Sequence, residues 1–306
     1  MSNTIFKDDF PLITTSEELQ QLFLKYPEYD EYYIASWSIQ DRKAFFSEMW
    51  KDFKPYADPE FLSELKQKWK FHQRSWEMYI WSILIKKWLV LQIKNNSEWP
   101  DIILNNNIYI ECIATEHWSG ENAVQLVIYN TLKEKTQIQN FPSEQILMRI
   151  TNAIEKKLKQ YKQWAKTKQR FNKKNWYIIA INSGKLWHLQ EYSYDVSVIM
   201  QALFGVHNIQ FDQKWNRSLS FRNHIFNKNN QPINVDCFCT GKYKEISWII
   251  FSWDFILNLK DNNKSVFINN PFAINPIPEN LFNNMDQWKA TKNADWSLDN
   301  QYIPIM

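Results

Sequence analysis

The sequence predicts an α/β fold with a helical N-terminal subdomain. Apolar side chains follow helical spacing over the first 75 residues, and helices and strands then alternate along the rest of the chain. No stretch rich in Gly and Ser separates these regions, which favours one α/β domain over two domains on a linker. With 16 Trp and 20 Phe among 306 residues, the chain carries enough apolar surface for a large core.

The composition excludes two common classes of phosphate-binding protein. The chain has only 4 Gly, whereas average usage predicts roughly 21 in a chain of this length. No two of them have the spacing of a dinucleotide-binding or ATP-binding glycine loop. The net charge of +3 is too small to indicate a nucleic-acid partner by itself, although it permits a local basic patch.

Nothing in the sequence predicts a secreted or membrane protein. The N-terminus lacks the pattern of a signal peptide, and the longest apolar stretch, Ile246–Leu259, contains Asp254 and is too short to cross a bilayer. Three cysteines are typical of a reducing compartment, so we expect a cytoplasmic protein. Cys237 and Cys239 are predicted to share one face of a strand, without the two further ligands that a zinc site needs.

The N-terminal elements are predicted to be helices. Ser16–Glu18 places a capping residue before acidic residues that suit a helix start. Asp58 and Pro59 begin a second helix, with Pro59 at its first position and apolar residues reaching Trp69. A third helix is expected over residues 75–88.

The next region is predicted to contain strands. Residues 88–93 form one strand, and Asp101–Leu104 and Ile108–Ala114 form two more. The last two are joined by Asn105, Asn106 and Asn107, and because Asn tolerates a positive φ, a short hairpin is expected.

The rest of the chain alternates between helices and strands. Pro142 and Ser143 begin a long helix that ends near Lys166, with Ser143 as the expected cap. Gly205 closes another helix by taking the left-handed position after its end. The remaining predicted elements are a helix over Tyr194–Phe204 and strands over Trp176–Asn182, Ile246–Ser252 and Ser265–Asn269.

The hairpin around Asn106 brings two acidic residues together. If Leu104 faces Ile108, then Asp101 faces Glu111, and directly opposed Cβ atoms lie about 4.5–5.5 Å apart. Two carboxylates at this spacing in an apolar sheet repel each other, and a divalent cation removes the repulsion. Alternatively, Asp101 begins the strand in solvent and Glu111 faces a basic residue. A register slip of one residue would also separate the pair.

These acidic residues resemble a known constellation. Glu77 on a helix, Pro100–Asp101 at a strand start and Glu111 on the next strand are similar to the PD-(D/E)XK restriction-endonuclease-like superfamily. Three further segments resemble an uncharacterised bacterial group of that superfamily: an FxxRxWExY signature over Phe71–Tyr79, a central helix over Ile146–Tyr161, and an NP motif at Asn269–Pro271 with Ala273 and Pro276. The resemblance covers roughly residues 40–280.

The resemblance implies a restriction-endonuclease-like αβββαβ core over residues 71–280. A helical subdomain over residues 1–70 precedes this core, and a tail over residues 281–306 packs on it. The resemblance also implies that Asp101 and Glu111 bind Mg²⁺ (or Mn²⁺), that Glu77 completes the site, and that DNA phosphodiester bonds are hydrolysed.

The sequence departs from the superfamily at the lysine expected two residues after Glu111, where Ile113 stands. In some members this lysine has moved to the following helix. Lys157 shares a helix face with Arg149, whereas Lys156 points about 100° away. Lys157 is therefore the candidate that steers the attacking water, and Arg149 and Lys156 are candidates for binding substrate. The alternative is that these cations belong to a solvated basic face.

Three hypotheses follow from the sequence. The first is a Mg²⁺-dependent deoxyribonuclease, for which a homodimer is a plausible assembly because a double-strand cutter needs two sites. The second is a catalytically inactive nuclease-like protein with a binding, effector or regulatory role. The third is an unrelated aromatic-rich α/β domain in which the acidic residues are structural.

Overall fold

The computed structural model contains helices and strands in a mixed α/β arrangement, as the sequence predicts. The chain divides into two units: unit 1 comprises Met1–Ala114 and Phe255–Lys264, and unit 2 comprises Thr115–Asp254 and Ser265–Met306. The predicted boundaries at residues 70 and 280 remain predictions. The structure describes residues 5–6, 10–86, 100–105, 107–117, 123–124, 142–168, 171–186, 197–258, 265–282, 285–293 and 298–303.

The described part of unit 1 contains five α-helices around an aromatic core. Phe46 and Phe71 are fully buried, with ring centroids 5.4 Å apart, and Trp50 stacks on Phe61 at 5.8 Å. Burying large rings stabilises the packing of the helices, because aromatic side chains remove much apolar surface from water. The helices are α1 (Ser16–Lys25), α2 (Glu31–Ser38), α3 (Gln40–Phe53), α4 (Phe61–Leu65) and α5 (Phe71–Lys86).

One predicted helix start is close to the observed one, although Thr15 rather than Ser16 is the cap. Helix α1 begins at Ser16, and Thr15 provides its capping box with Glu18. The other is wrong, because Pro59 lies in a turn and the helix after it begins at Phe61. The prediction that the helix after Pro59 reaches Trp69 is wrong, because α4 ends at Leu65 and Trp69 has a φ of 70°. The Asp30 carboxylate accepts the Trp69 N–H at 2.9 Å and so fixes this non-helical backbone.

The predicted hairpin is confirmed. Strand β1 (Ile102–Leu104) pairs antiparallel with β2 (Ile108–Ala114), and Leu104 stands opposite Ile108. Asn105 adopts the left-handed conformation, with a φ of 50°. The strand predicted over residues 88–93 lies outside the described residues.

Unit 2 contains two helices and nine strands within its described part. Helix α6 covers Ser143–Thr167 and α7 covers Val198–Phe204. The strands are β3 (Trp176–Asn182), β4 (Val206–Phe211), β5 (Arg217–Phe221), β6 (His224–Phe226), β7 (Pro232–Asn234), β8 (Trp248–Ser252), β9 (Ser265–Asn269), β10 (Gln287–Lys292) and β11 (Leu298–Ile303).

Five of these strands lie side by side in a mixed sheet, in the order β3, β8, β9, β10 and β11. Strands β3 and β8 run parallel, as do β9 and β10, whereas β8 with β9 and β10 with β11 are antiparallel. Strands β4 and β5 form a separate hairpin, and β6 and β7 form another. No helix in the described part of the chain is long and apolar enough to cross a membrane.

Several sequence predictions in unit 2 need correction. Pro142 occupies the N-cap position of α6, and no side chain caps that helix, so Ser143 is not the cap. The segment with Cys237 and Cys239 is a turn rather than a strand. Helix α7 begins at Val198, and the predicted start at Tyr194 lies outside the described residues. Strands β4 to β7, β10 and β11 were not predicted from the sequence.

Candidate active site: a carboxylate pair on the β1–β2 hairpin

The observed register brings Asp101 and Glu111 together. Strand β1 pairs Ile102 with Ile110, and continuing this register by one residue places Asp101 opposite Glu111. A hydrogen bond connects the two residues, in which the Asp101 backbone N–H donates to Glu111 Oε1 at 3.3 Å. Glu111 is only 2% exposed, so its carboxylate is largely withdrawn from solvent. The structure therefore brings together the two acidic residues that the sequence predicted as metal ligands.

The Asp101 carboxylate also has a structural role. Its Oδ2 accepts the Cys112 N–H at 2.8 Å. Pro100 precedes Asp101, and β1 begins only at Ile102, so this side chain occupies part of the edge of β2 that β1 does not cover. Asp101 thus neither projects freely into solvent nor serves only as a partner for Glu111.

Gln73 continues the same edge of β2 from helix α5. Its Nε2 donates to the Cys112 carbonyl oxygen at 3.1 Å, and its Oε1 accepts the Ala114 N–H at 2.8 Å. One side-chain amide therefore replaces the neighbouring strand for two backbone groups. This contact fixes the position of α5 against the strand that carries Glu111.

Glu77 is 5% exposed and pairs with Arg74, one helical turn before it. Arg74 Nη1 donates to Glu77 Oε2 at 2.9 Å and to Asp58 Oδ2 at 3.2 Å. Arg74 Nε donates to Glu64 Oε2 at 2.6 Å, and its Nη2 forms a second bond to the same oxygen. The structure therefore holds Glu77 in an ion pair with Arg74.

Charge interactions within this cluster shift two pKa values. Burial opposes the charge on Arg74, but the carboxylates of Glu77, Glu64 and Asp58 outweigh it and raise the pKa of the guanidinium. Burial also opposes ionisation of Glu64, and hydrogen bonds from Arg74 outweigh that effect, so the pKa of Glu64 is lowered. Arg74 therefore stays charged and holds three carboxylates around one cation.

The three predicted cationic residues all lie on α6 in unit 2. Arg149 is 4% exposed, Lys157 is half-buried and Lys156 is exposed, which agrees with the predicted helix face. Burial lowers the pKa of Arg149 to about 10, so the residue remains a cation at neutral pH. The carboxylate pair belongs to unit 1, and an approach of Lys157 to it stays a prediction.

The NP segment has a structural role at the end of β9. Asn270 Nδ2 donates to the carbonyl oxygens of Tyr243 and Ile246 at 3.0 and 2.9 Å. Its Oδ1 accepts the Phe272 N–H at 3.0 Å. Asn270 therefore ties the turn after β9 to the segment that precedes β8.

None of the three cysteines has the environment of a nucleophile. Cys112 is fully buried and alternates with Glu111 along β2, so it lies on the opposite face. Burial raises the pKa values of Cys237 and Cys239 to about 12 each, and both thiols are protonated at neutral pH.

Among the described residues, no group of three or more His, Cys, Asp and Glu side chains is arranged to hold a metal ion. The Asp101–Glu111 pair is smaller than such a group, but both of its side chains supply carboxylate oxygens, which are the ligands that Mg²⁺ prefers. Magnesium in proteins is often held by one or two carboxylates, with water and phosphate oxygens completing its shell. The donor chemistry of the pair therefore fits a magnesium ion that shares its coordination with a substrate.

Comparisons of the chain with protein-family models, with curated proteins and with solved structures find no match.

Sequence reasoning missed Gln73, Asp58 and Glu64 as parts of this region. Gln73 lies four residues before Glu77 on α5, so helical spacing could have indicated that the two share a face. Asp58 and Glu64 meet Arg74 from positions 16 and 10 residues away. No local pattern in the sequence indicates that they converge on one guanidinium.

Proposed function

We propose that this protein is a metal-dependent nuclease with a restriction-endonuclease-like core, acting on DNA phosphodiester bonds. The observation that carries the proposal is the pair of opposed acidic residues on the β1–β2 hairpin, one of them 2% exposed. A buried carboxylate beside a second one is costly unless a cation or hydrogen-bond donors compensate for its charge. Asp101 and Glu111 would hold Mg²⁺ or Mn²⁺ here.

The chain's own residues would hold and orient the site. The Asp101 N–H fixes one oxygen of Glu111, and the Cys112 N–H fixes one oxygen of Asp101. Arg74 holds Glu77, which would complete the site next to the pair. In this proposal Lys157 steers or deprotonates the attacking water, and Arg149 and Lys156 bind phosphates of the substrate. A bound metal ion supplies Lewis acidity and lowers the pKa of a coordinated water molecule.

The second candidate is a nuclease-like protein that binds nucleic acid without cleaving it. Ile113 stands where the superfamily has its lysine, so the β2 strand lacks the cation expected beside Glu111. Asp101 and Glu77 also have structural bonds, to Cys112 and Arg74. These bonds would preserve both acidic residues even after catalysis was lost.

Metal binding is tested by following the melting temperature during titration with Mg²⁺ or Mn²⁺. Because an ion that binds only the folded state stabilises it, we expect the wild type to melt at a higher temperature in millimolar ion. Asp101→Asn and Glu111→Gln should lose this shift, whereas Glu60→Gln, which removes an exposed carboxylate, should keep it. A wild type that shows no shift would overturn the proposed metal site.

Cleavage separates the two candidates. A nuclease should nick plasmid DNA in Mg²⁺, and Lys157→Ala should remove that activity while leaving the metal-induced shift in melting temperature. A wild type that shows the metal-induced shift and binds DNA, but leaves the plasmid intact, would favour the non-catalytic candidate.

A further inference from the structure

Two short hairpins in unit 2 concentrate the exposed apolar side chains of the described residues. Residues 206–234, which contain β4 to β7, are here called the paired hairpins. Nine large hydrophobic side chains are exposed in the described structure, and five of them lie within these 29 residues. They are Phe211, Trp215, Leu219, Phe221 and Phe226. Such a concentration on a surface indicates an interaction site.

The same segment carries an excess of positive charge. It contains four Lys and Arg residues against one Asp, a formal charge of +3. One of the four, Arg222, is paired with Glu144 of α6 at 3.0 Å. Lys214 lies in the β4–β5 turn directly before Trp215, and both side chains are exposed. The paired hairpins therefore combine aromatic rings with positive charge, the combination that suits nucleic acid.

The two hairpins have the same turn geometry. In the first turn, Asp212 Oδ1 accepts the N–H groups of Lys214 and Asn216 at 2.7 and 2.9 Å. In the second, Asn227 Oδ1 accepts the N–H groups of Asn229 and Gln231 at 3.0 and 2.9 Å. The fourth residue of each turn adopts the left-handed conformation, with a φ of 62° at Trp215 and 55° at Asn230.

Trp215 is an unusual residue for this position. Asn tolerates the left-handed conformation, as Asn230 does in the second turn, whereas a bulky side chain is strained there. Trp215 is nevertheless 82% exposed, so its ring contributes little to the core. A strained residue that does not serve packing points to a functional role.

The β4–β5 hairpin extends the exposed apolar surface from Trp215. Phe211 lies 6.1 Å from Trp215 between ring centroids, and the register pairs Ile209 with Leu219 on the same face. Phe221 follows on that face and is 65% exposed. The opposite face carries only small or polar side chains: Asn208, Gln210, Ser218 and Ser220. Apolar side chains therefore follow one another from the tip along a single face.

We propose that the β4–β5 hairpin binds single-stranded nucleic acid, with bases stacking on Trp215 and Phe211 and a phosphate held by Lys214. The choice of ligand rests on the proposed function, whose substrate is nucleic acid, and on the charge of +3 in this segment. Base stacking on aromatic side chains is tolerant of sequence, so the hairpin binds strands of different sequence. It adds a substrate contact outside the carboxylate pair.

The test measures anisotropy of a fluorescein-labelled oligonucleotide with the full chain in EDTA, so that cleavage and metal binding play no part. Trp215→Asn should raise the Kd by roughly fivefold or more, because one stacking ring is lost. The melting temperature of this variant should not fall, since Asn suits the left-handed position. Lys214→Ala should weaken binding and reduce the slope of log Kd against the logarithm of the salt concentration by about 1.

Trp69 provides a matched control. It is also a Trp with a positive φ, 70°, and is 73% exposed, but it belongs to unit 1. Trp69→Asn should leave the Kd unchanged. Equal Kd values for the wild type and Trp215→Asn, or no binding by the wild type, would overturn the proposal. Loss of self-association in Trp215→Asn without an effect on oligonucleotide binding would also overturn it, in favour of a protein interface.

The outcome is distinguishable from failure of the proposed function. Binding in EDTA that depends on Trp215, together with no metal-induced shift in melting temperature, would support the hairpin and reject the metal site. A metal-induced shift with no effect of Trp215→Asn on the Kd would reject the hairpin alone.

Discussion

Gly205 is the residue where the backbone leaves α7 and enters the first of the paired hairpins. Its φ is 65°, the left-handed conformation that the sequence predicted for the position after this helix. Its carbonyl oxygen also accepts the Arg222 N–H at 2.8 Å, which brings the backbone of the next hairpin strand very close. A Cβ atom at this position would overlap the Arg222 carbonyl oxygen.

Gly205→Ala should therefore destabilise the protein. The left-handed conformation alone costs a non-Gly residue about 1–2 kcal/mol, and the overlap with Arg222 adds to that cost. Urea unfolding measures the change in the free energy of unfolding. Gly241→Ala is the matched control, because no atom lies within 4 Å of a Cβ there, and its effect should stay within about 0.5 kcal/mol. Equal effects of the two substitutions would contradict this account.

At the scale of elements, the contact between α5 and β2 depends on Gln73. The side-chain amide of Gln73 forms hydrogen bonds with one backbone group of Cys112 and one of Ala114, and both residues are at most 7% exposed. Gln73→Ala should lower the free energy of unfolding, because each buried group left without a partner costs about 1–3 kcal/mol. Chemical denaturation checks this, with Gln21→Ala on the exposed surface of α1 as the control. A loss no larger than that of the control would show that water replaces the amide.

The hairpin itself could be predicted from the sequence because its signals are local. Short apolar segments and an Asn-rich loop define β1 and β2, and the loop fixes the register that opposes Asp101 and Glu111. Strands β3, β8 and β9 could also be predicted, because each contains a continuous apolar segment. In contrast, β10 and β11 mix polar and apolar residues without a continuous apolar segment, and β10 is held in the sheet by pairing with both β9 and β11.

The rest of the candidate site depends on contacts between distant residues. Gln73 meets β2 across 39 and 41 residues of sequence, and no periodicity encodes such a contact. The same holds for the Trp69 backbone, which Asp30 fixes from 39 residues away. Helical spacing of apolar residues predicted that the preceding helix continues to Trp69. A tertiary hydrogen bond to the Asp30 carboxylate instead determines the backbone conformation of Trp69.

At the scale of the whole molecule, half-buried carboxylates make stability depend on pH in opposite senses. In unit 2, burial opposes ionisation of Glu155, but hydrogen bonds from Tyr243 and Lys242 outweigh it and lower its pKa, whereas burial raises the pKa of Asp236. These two residues therefore respond to acid in opposite directions. In unit 1, Glu64 has a lowered pKa because Arg74 holds its ionised form.

The contribution of Glu64 should be lost in acid. Its folded-state pKa lies below the ordinary value of 4.5, so the stabilisation is complete above that pH and falls as the pH drops through the lowered value. Glu64→Gln removes one ionised partner of Arg74, so the variant should lose less unfolding free energy than the wild type when the pH falls from about 7 to about 3. Urea unfolding at both pH values measures the difference, and Glu60→Gln controls for removing an exposed carboxylate nearby. If the wild type and Glu64→Gln lost equal free energy of unfolding between the two pH values, the Arg74–Glu64 contact would not govern the acid response.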